Sequence, residues 1–241
     1  MKRRTALFAA GMFLVLVAAS CAGLRALARS RTVQLFGTIV HRVPTAERRV
    51  ALTFDDGPTS TRLDTLLEVL AARGVQATFF VTGKELAAAP DAGRRLVAEG
   101  HELGNHSYSH RRMILVSDET VATEVETTDS LIRATGFHGP IYFRPPYGYK
   151  LFALPRYLAR TGRTTVTWNL EPDSYPEVAA TVGQIVQHVL EGIEPGSIIL
   201  LHVWYPSRAT SLAAVGPLID SLQARGYRVG PVRALVRRSG S

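Results

Sequence analysis

One cysteine in 241 residues excludes an internal disulfide framework. Stability must come from a packed core, which a chain of this length can bury in one full domain with an appendage. No internal repeat or low-complexity tract is evident. No acidic residue precedes Glu47, whereas Lys2, Arg3, Arg4, Arg25, Arg29 and Arg31 all do. The net charge of +8 is therefore largely a property of the N-terminus, and the rest of the chain is nearly balanced. Aromatic residues are not interleaved with a basic stripe, so the charge does not read as a nucleic-acid surface.

What the N-terminus does have is an uncharged, mostly apolar run from Thr5 to Leu24 behind the Lys2-Arg3-Arg4 cluster. The run exceeds the ~7–15 residues of a signal-peptide core and approaches the ~20 that span a bilayer. Three readings stay open. The first is an uncleaved signal-anchor. The second is a lipoprotein signal, since Cys21 follows the small residues Ala18, Ala19 and Ser20, although the usual leucine three places earlier is missing. The third is ordinary cleavage near Ala22. Each places the remaining chain outside the cytoplasm, anchored to the membrane in the first two. Residues 1–24 are expected as the anchor or signal, 25–47 as a polar, Arg-rich linker, and 48–238 as the folded domain.

From Arg49 onward, short apolar runs alternate with amphipathic stretches about seven times. RVALTF, VQATFFV, HELGNH, PIYFRPP, TTVTWNL and GSIILLH read as strands. TRLDTLLEVLAARG and DAGRRLVAEG read as helices closed by glycine. SDETVATEVETTDSLIRATG reads as a helix that Ser117 caps, and LFALPRYLARTG as a helix interrupted by Pro155. VGQIVQHVLEGI and AAVGPLIDSLQARG read as the last two helices. Such alternation argues an α/β fold with parallel strands and helical crossovers. The chemically loaded residues fall just after strands: Asp55 and Asp56, His106, Arg144, Glu171 and His202. In a parallel barrel those strand ends share one mouth, where sites are built.

HSYSH sets His106 and His110 four residues apart, which on a helix turn gives them one face. With an acid from FDDG they make two imidazoles and one carboxylate, a catalytic metal set with an open position. A chance pair of surface histidines is the bland alternative. FRPPYG puts Arg144 at a strand end, where it can pair with one aspartate, either to keep it ionised or as a structural salt bridge. His202 closes an apolar strand, and reads as a core histidine or, from its position, as a general acid.

In the order TFDDGP, HSYSH, RPPY, WNLEPDSY and LLH, these segments resemble the polysaccharide deacetylase family, the NodB-homology carbohydrate esterases of family 4. The resemblance covers residues 48 to 236. It implies a distorted, TIM-like (β/α) barrel of about seven parallel strands and a metal-dependent deacetylase of carbohydrate. By the same resemblance Asp56, His106 and His110 are metal ligands, Asp55 the catalytic base and Arg144 its partner. Tyr147 lies where a backbone N–H helps to hold an oxyanion, Leu200 lines the acetyl pocket and His202 is the general acid. The fourth motif departs from the family's Asp-x-x-Asp-Trp. Glu171 stands for the acid that orients the histidine, with Asp173 as the alternative, and Tyr175 replaces the tryptophan of the pocket wall. Trp204 and Tyr205 are candidates for stacking on a sugar or for wall packing.

The implied cofactor is a divalent metal, zinc first, with cobalt or nickel as alternatives. The expected partners are an acetylated glycan of the cell envelope, such as peptidoglycan, and the membrane, with the protein a monomer. Two rival readings are a catalytically weak, membrane-tethered glycan-binding protein and a metal hydrolase of a non-glycan amide or ester.

Overall fold

The computed structural model describes residues 2–236. Its strands are β1 (Ile39–Val40), β2 (Arg49–Asp56), β3 (Thr78–Val81), β4 (Glu102–Asn105), β5 (Thr165–Val166), β6 (Ile198–Leu201) and β7 (Arg228–Gly230). The helices are α1 (Lys2–Arg29), α2 (Ser60–Ala71), α3 (Gly83–Ala88), α4 (Pro90–Ala98) and α5 (Asp118–Ala134), followed by α6 (Ala153–Arg160), α7 (Val182–Gly192), α8 (Ala209–Ala224) and α9 (Arg233–Val236).

All strand pairs are parallel, in the order β4-β3-β2-β6, with β7 beside the start of β2 and β1 paired to β5. Single-residue bridges carry the ring onward from Asn105 to Phe143, from Phe143 to Thr165, and from Leu170 to Ile199. The expected barrel of parallel strands is therefore present, and its distortion is local. PIYFRPP supplies one bridging residue instead of a strand, because Pro145 and Pro146 have no N–H to give a ladder. TTVTWNL keeps only two residues as strand β5.

Strand β2 explains the layering. Val50, Leu52 and Phe54 pack with the helices in the largest apolar cluster, alongside Leu63, Leu66, Leu67 and Leu70 of α2. Ala51 belongs instead to the barrel interior, with Phe80, Ile198 and Leu200. The period of two then sends Thr53 and Asp55 inward as well. Both faces are buried, which is why the strand reads as a near-continuous apolar run.

Several helices differ from expectation. Pro155 does not interrupt α6, because it is the third residue of the helix, where a backbone N–H has no intrahelical acceptor in any case. Helix α3, capped by the Thr82 side chain, was not anticipated. Short α9 follows α8, so α8 is not the last helix. As expected, the Ser117 hydroxyl accepts from Thr120 N–H at the start of α5, at 3.1 Å.

The stretch expected as a linker, 25–47, is built into the barrel. Helix α1 runs on to Arg29, and Ala28 is buried. Lys150 holds the end of α1, donating its N–H to the Ala28 carbonyl at 2.9 Å and its Nζ to the Ser30 carbonyl. Strand β1 pairs with β5, and buried Val43 donates to the Gly196 carbonyl at 3.0 Å. Outside the barrel, the Met12–Arg29 window of α1 is long and apolar enough to cross a membrane, with 6% of it buried.

Gly196 joins this segment to β6. Its φ is +83°, and a Cβ there would lie 1.7 Å from the Val43 carbonyl oxygen. Gly196→Ala is expected to destabilise the fold by at least about 2 kcal/mol, from left-handed strain plus overpacking. Thermal unfolding followed by circular dichroism measures it, and an unchanged midpoint would contradict the packing described.

Candidate metal centre and active site

Asp55 follows the inward alternation of β2 and is 2% exposed. Asp56 leaves the strand at φ 81°, a left-handed conformation that turns its carboxylate toward the mouth. Ser107, His110 and Tyr147 also have positive φ, so four of the five such non-glycine residues among the described ones lie around this mouth. Strain of this kind concentrates at functional sites.

The mouth is a cleft of about 500 Å³. Asp55, Asp56, His106, His110, Leu200 and His202 line it, and Tyr147, Trp168, Glu171 and Tyr175 complete its walls. Arg144 lies beneath it, fully buried. A cavity of about 820 Å³ opens at the other ends of the strands, around Arg49, Gln76, His101 and Tyr227. It brings together none of the residues expected to act.

Asp56, His106 and His110 each present a ligand atom, all within 4.8 Å of one another. Asp56 Oδ1 is 3.2 Å from His110 Nε2 and 3.7 Å from His106 Nε2. That oxygen is buried and accepts no hydrogen bond. A buried, unsatisfied carboxylate oxygen facing two imidazole nitrogens fits a cation, which would remove the desolvation penalty. His106 Nδ1 lies 2.7 Å from the Arg144 carbonyl. A carbonyl only accepts, so Nδ1 carries the proton and the Nε2 lone pair faces Asp56. Burial, with the neighbouring His110, lowers the His106 pKa to about 3 and keeps the ring neutral.

The two histidines do not share a helical face. Ser107 at φ 63° and His110 at φ 56° make a non-helical turn that brings the rings to 4.9 Å. Glu124 of α5 builds that turn: its carboxylate accepts from the N–H groups of Tyr108 and Ser109, both at 2.8 Å, and from the Ser109 hydroxyl at 2.6 Å. Asn105 Oδ1 accepts from Ser107 N–H at 2.8 Å. Glu124 was missed by motif reading. Its signal was its place among Val121, Val125, Thr128 and Ile132, the buried stripe of α5.

Arg144 meets Asp55 as expected, with NH1 2.6 Å from Oδ1. It also donates to Thr53 Oγ1 at 2.8 Å and to the carbonyls of Val166 and Thr167. Burial raises the Asp55 pKa above the usual carboxylate range, and the charge and hydrogen bond of Arg144 act against that rise. Asp55 is thus a more basic carboxylate than an exposed one.

Asp173, not Glu171, orients His202. Its carboxylate accepts from His202 N–H at 2.6 Å and lies 3.2 Å from His202 Nδ1. Glu171 instead accepts from Trp168 Nε1 at 2.8 Å and Ser174 Oγ at 2.6 Å, and lies 3.4 Å from Arg31. The longer arm reaches the cleft wall while the next acid takes the position beside the histidine. Burial alone would lower the His202 pKa, but the Asp173 hydrogen bond and charge, helped by Asp55 and Asp56, push it up to about 9. The ring is protonated at neutral pH.

Trp204 packs in the wall. It is 2% exposed and lies so close to Gly57 that a Cβ there would come within 2.2 Å of its ring. Tyr205 is partly exposed. The Tyr147 N–H makes no hydrogen bond to its turn, whereas those of Gly148 and Tyr149 do.

The polysaccharide deacetylase family profile matches residues 42–166. A chitooligosaccharide deacetylase of Bradyrhizobium sp. (strain ANU 289) is 36% identical over 200 residues, covering 78% of this chain and 90% of that protein. A peptidoglycan-N-acetylglucosamine deacetylase of Bacillus cereus is 32% identical over 201 residues, covering 83% of this chain and 94% of that protein. The solved Bc1960 peptidoglycan N-acetylglucosamine deacetylase superposes with a TM-score of 0.76 at 27% identity, covering 81% of this chain and 91% of that one.

Glu124 hydrogen-bonds none of the candidate ligand atoms, yet it fixes the turn between His106 and His110. Glu124→Ala is expected to weaken divalent-metal binding by about 10–100-fold. Titration of the metal-free protein with zinc against a competing chelator measures it, and unchanged affinity would remove Glu124 from the site.

Proposed function

The chain belongs to the polysaccharide deacetylase family, and from that premise we propose that it hydrolyses N-acetyl groups of a cell-envelope glycan such as peptidoglycan, using a divalent metal. The observation that carries the reading is the meeting, in one cleft, of the Asp56, His106 and His110 set with two differently tuned groups, Asp55 and His202.

Asp56, His106 and His110 would hold the metal, zinc first, which would supply Lewis acidity to water and to the acetyl carbonyl. Asp55, made more basic by burial, takes the proton of the attacking water. Arg144 fixes the Asp55 carboxylate from below, so its free oxygen faces the cleft. The unpaired Tyr147 N–H can receive the oxyanion, a contribution of roughly 3–4 kcal/mol per donor in related cases. Leu200 bounds the space for the acetyl methyl. His202, protonated and held by Asp173, gives its proton to the departing nitrogen. An amine is a poor leaving group until protonated, so a histidine charged at neutral pH suits an amide better than an ester.

The rival reading of a weak glycan-binding protein rested on the altered fourth motif. An acid, Asp173, still pairs with His202, which weighs against that reading. The apolar α1 and the envelope substrate together favour an enzyme anchored outside the cytoplasm.

Asp55→Asn is expected to retain metal while kcat falls by about 10²–10⁴-fold. Acetate release from acetylated glucosamine oligomers, with metal quantified in the same sample, measures both. Full activity in Asp55→Asn, or activity unaffected by a chelator, would contradict the mechanism. Asp173→Asn removes what raises the His202 pKa. The basic limb of the kcat/KM profile is expected to move to lower pH than in the parent, because Asp173 is the largest influence raising that pKa. An unmoved limb would assign it to another group.

A further inference from the structure

Helix α1 does not stop short of the cleft. Arg29 and Arg31, at and just past its end, line the cleft that contains Asp56 and His202. Both precede residue 42, where the family profile begins, and both follow Cys21 and Ala22, so they remain in every reading of N-terminal processing. Aromatic rings hold them: Arg31 lies 5.1 Å over Trp168, and Arg29 5.6 Å over Tyr149. Arg112 lies on the same wall, 5.3 Å over Tyr147 and 5.4 Å over Tyr149.

A cation–π contact uses no N–H donor of a guanidinium, and a guanidinium's N–H donors are what bind a carboxylate in a fork. Of these three arginines the cleft's own acids engage only Arg31. Asp55 is paired with Arg144, Asp173 with His202, and Glu171 with Arg31. Arg29 and Arg112 have no carboxylate within ion-pairing distance among the described residues, and both are exposed. The rim therefore carries uncompensated positive charge on pre-positioned side chains beside the site of reaction.

We propose that Arg29, Arg31 and Arg112 form a carboxylate-binding subsite, and that the enzyme selects acetylated glycans bearing carboxylate groups over neutral ones. This rests on the deacetylase reading. It adds the charge of the substrate and assigns a substrate-binding role to the segment that follows α1.

The test uses the full chain in detergent micelles and two forms of one ligand. One is a tetrasaccharide of alternating N-acetylglucosamine and N-acetylmuramic acid with free lactyl carboxylates. The other is the same tetrasaccharide with those carboxylates converted to amides. Calorimetric affinities are measured for both, and acetate release is followed in parallel. The parent protein is expected to bind the charged form at least about tenfold more tightly, with the preference shrinking as salt rises. In the Arg29→Gln/Arg112→Gln double variant, which leaves the Arg31–Glu171 pair intact, the preference is expected to fall to about twofold. Equal affinities in the parent, binding of neither form, or an undiminished preference in the double variant would each overturn the subsite. A preference for the charged form without acetate release from either would sustain the subsite and overturn the deacetylase reading instead.

Discussion

Arg144 brings a full charge to a place with no access to water, and Asp55 is what makes that tolerable. Removing one partner of such a pair leaves a buried charge worth roughly 3–5 kcal/mol of destabilisation. The pair does more than cancel charge. The guanidinium ties Asp55 of β2 to the carbonyls of Val166 and Thr167, on a segment that does not pair with β2. The backbone carbonyl of the same residue sets the tautomer of His106. Its N–H donates to Asn105, whose side chain steadies the turn carrying both histidines. One residue thus aligns Asp55 with the cluster of Asp56, His106 and His110.

Much of this was legible in the sequence because it follows strand periodicity. Asp55, Arg144 and His202 were legible as residues at the ends of apolar runs, and the Arg144 pairing with an aspartate followed from that shared position. What was not legible depends on local backbone geometry. HSYSH reads as a helical face by spacing alone, but positive φ at Ser107 and His110 makes it a turn. Residues four apart in a turn need an external brace, and Glu124 is that brace. Glu171 and Asp173 could not be separated by motif register, because the difference is which carboxylate the Pro172–Ser174 turn points at His202. PIYFRPP lost its ladder to two prolines, and Pro155 was harmless because of where in its helix it fell.

The N-terminal segment changed most between sequence and structure. Composition marks 25–47 as polar and basic, which resembles a tether. Lys150, nearly completely buried, holds the carbonyls at the end of α1 instead. Burial lowers the pKa of that amine to about 8. The apolar helix and the catalytic cleft are consequently joined without a flexible spacer, and the arginines at the junction belong to the cleft.

The central claim is that Asp56 goes to a metal and Asp55 does not. Anomalous diffraction at the zinc edge from zinc-loaded crystals tests it most directly. The account predicts one strong peak about 2.0–2.2 Å from an Asp56 oxygen and from the Nε2 atoms of His106 and His110, with the Asp55 carboxylate still on Arg144. A peak coordinated by Asp55, or one away from this cleft, would contradict it.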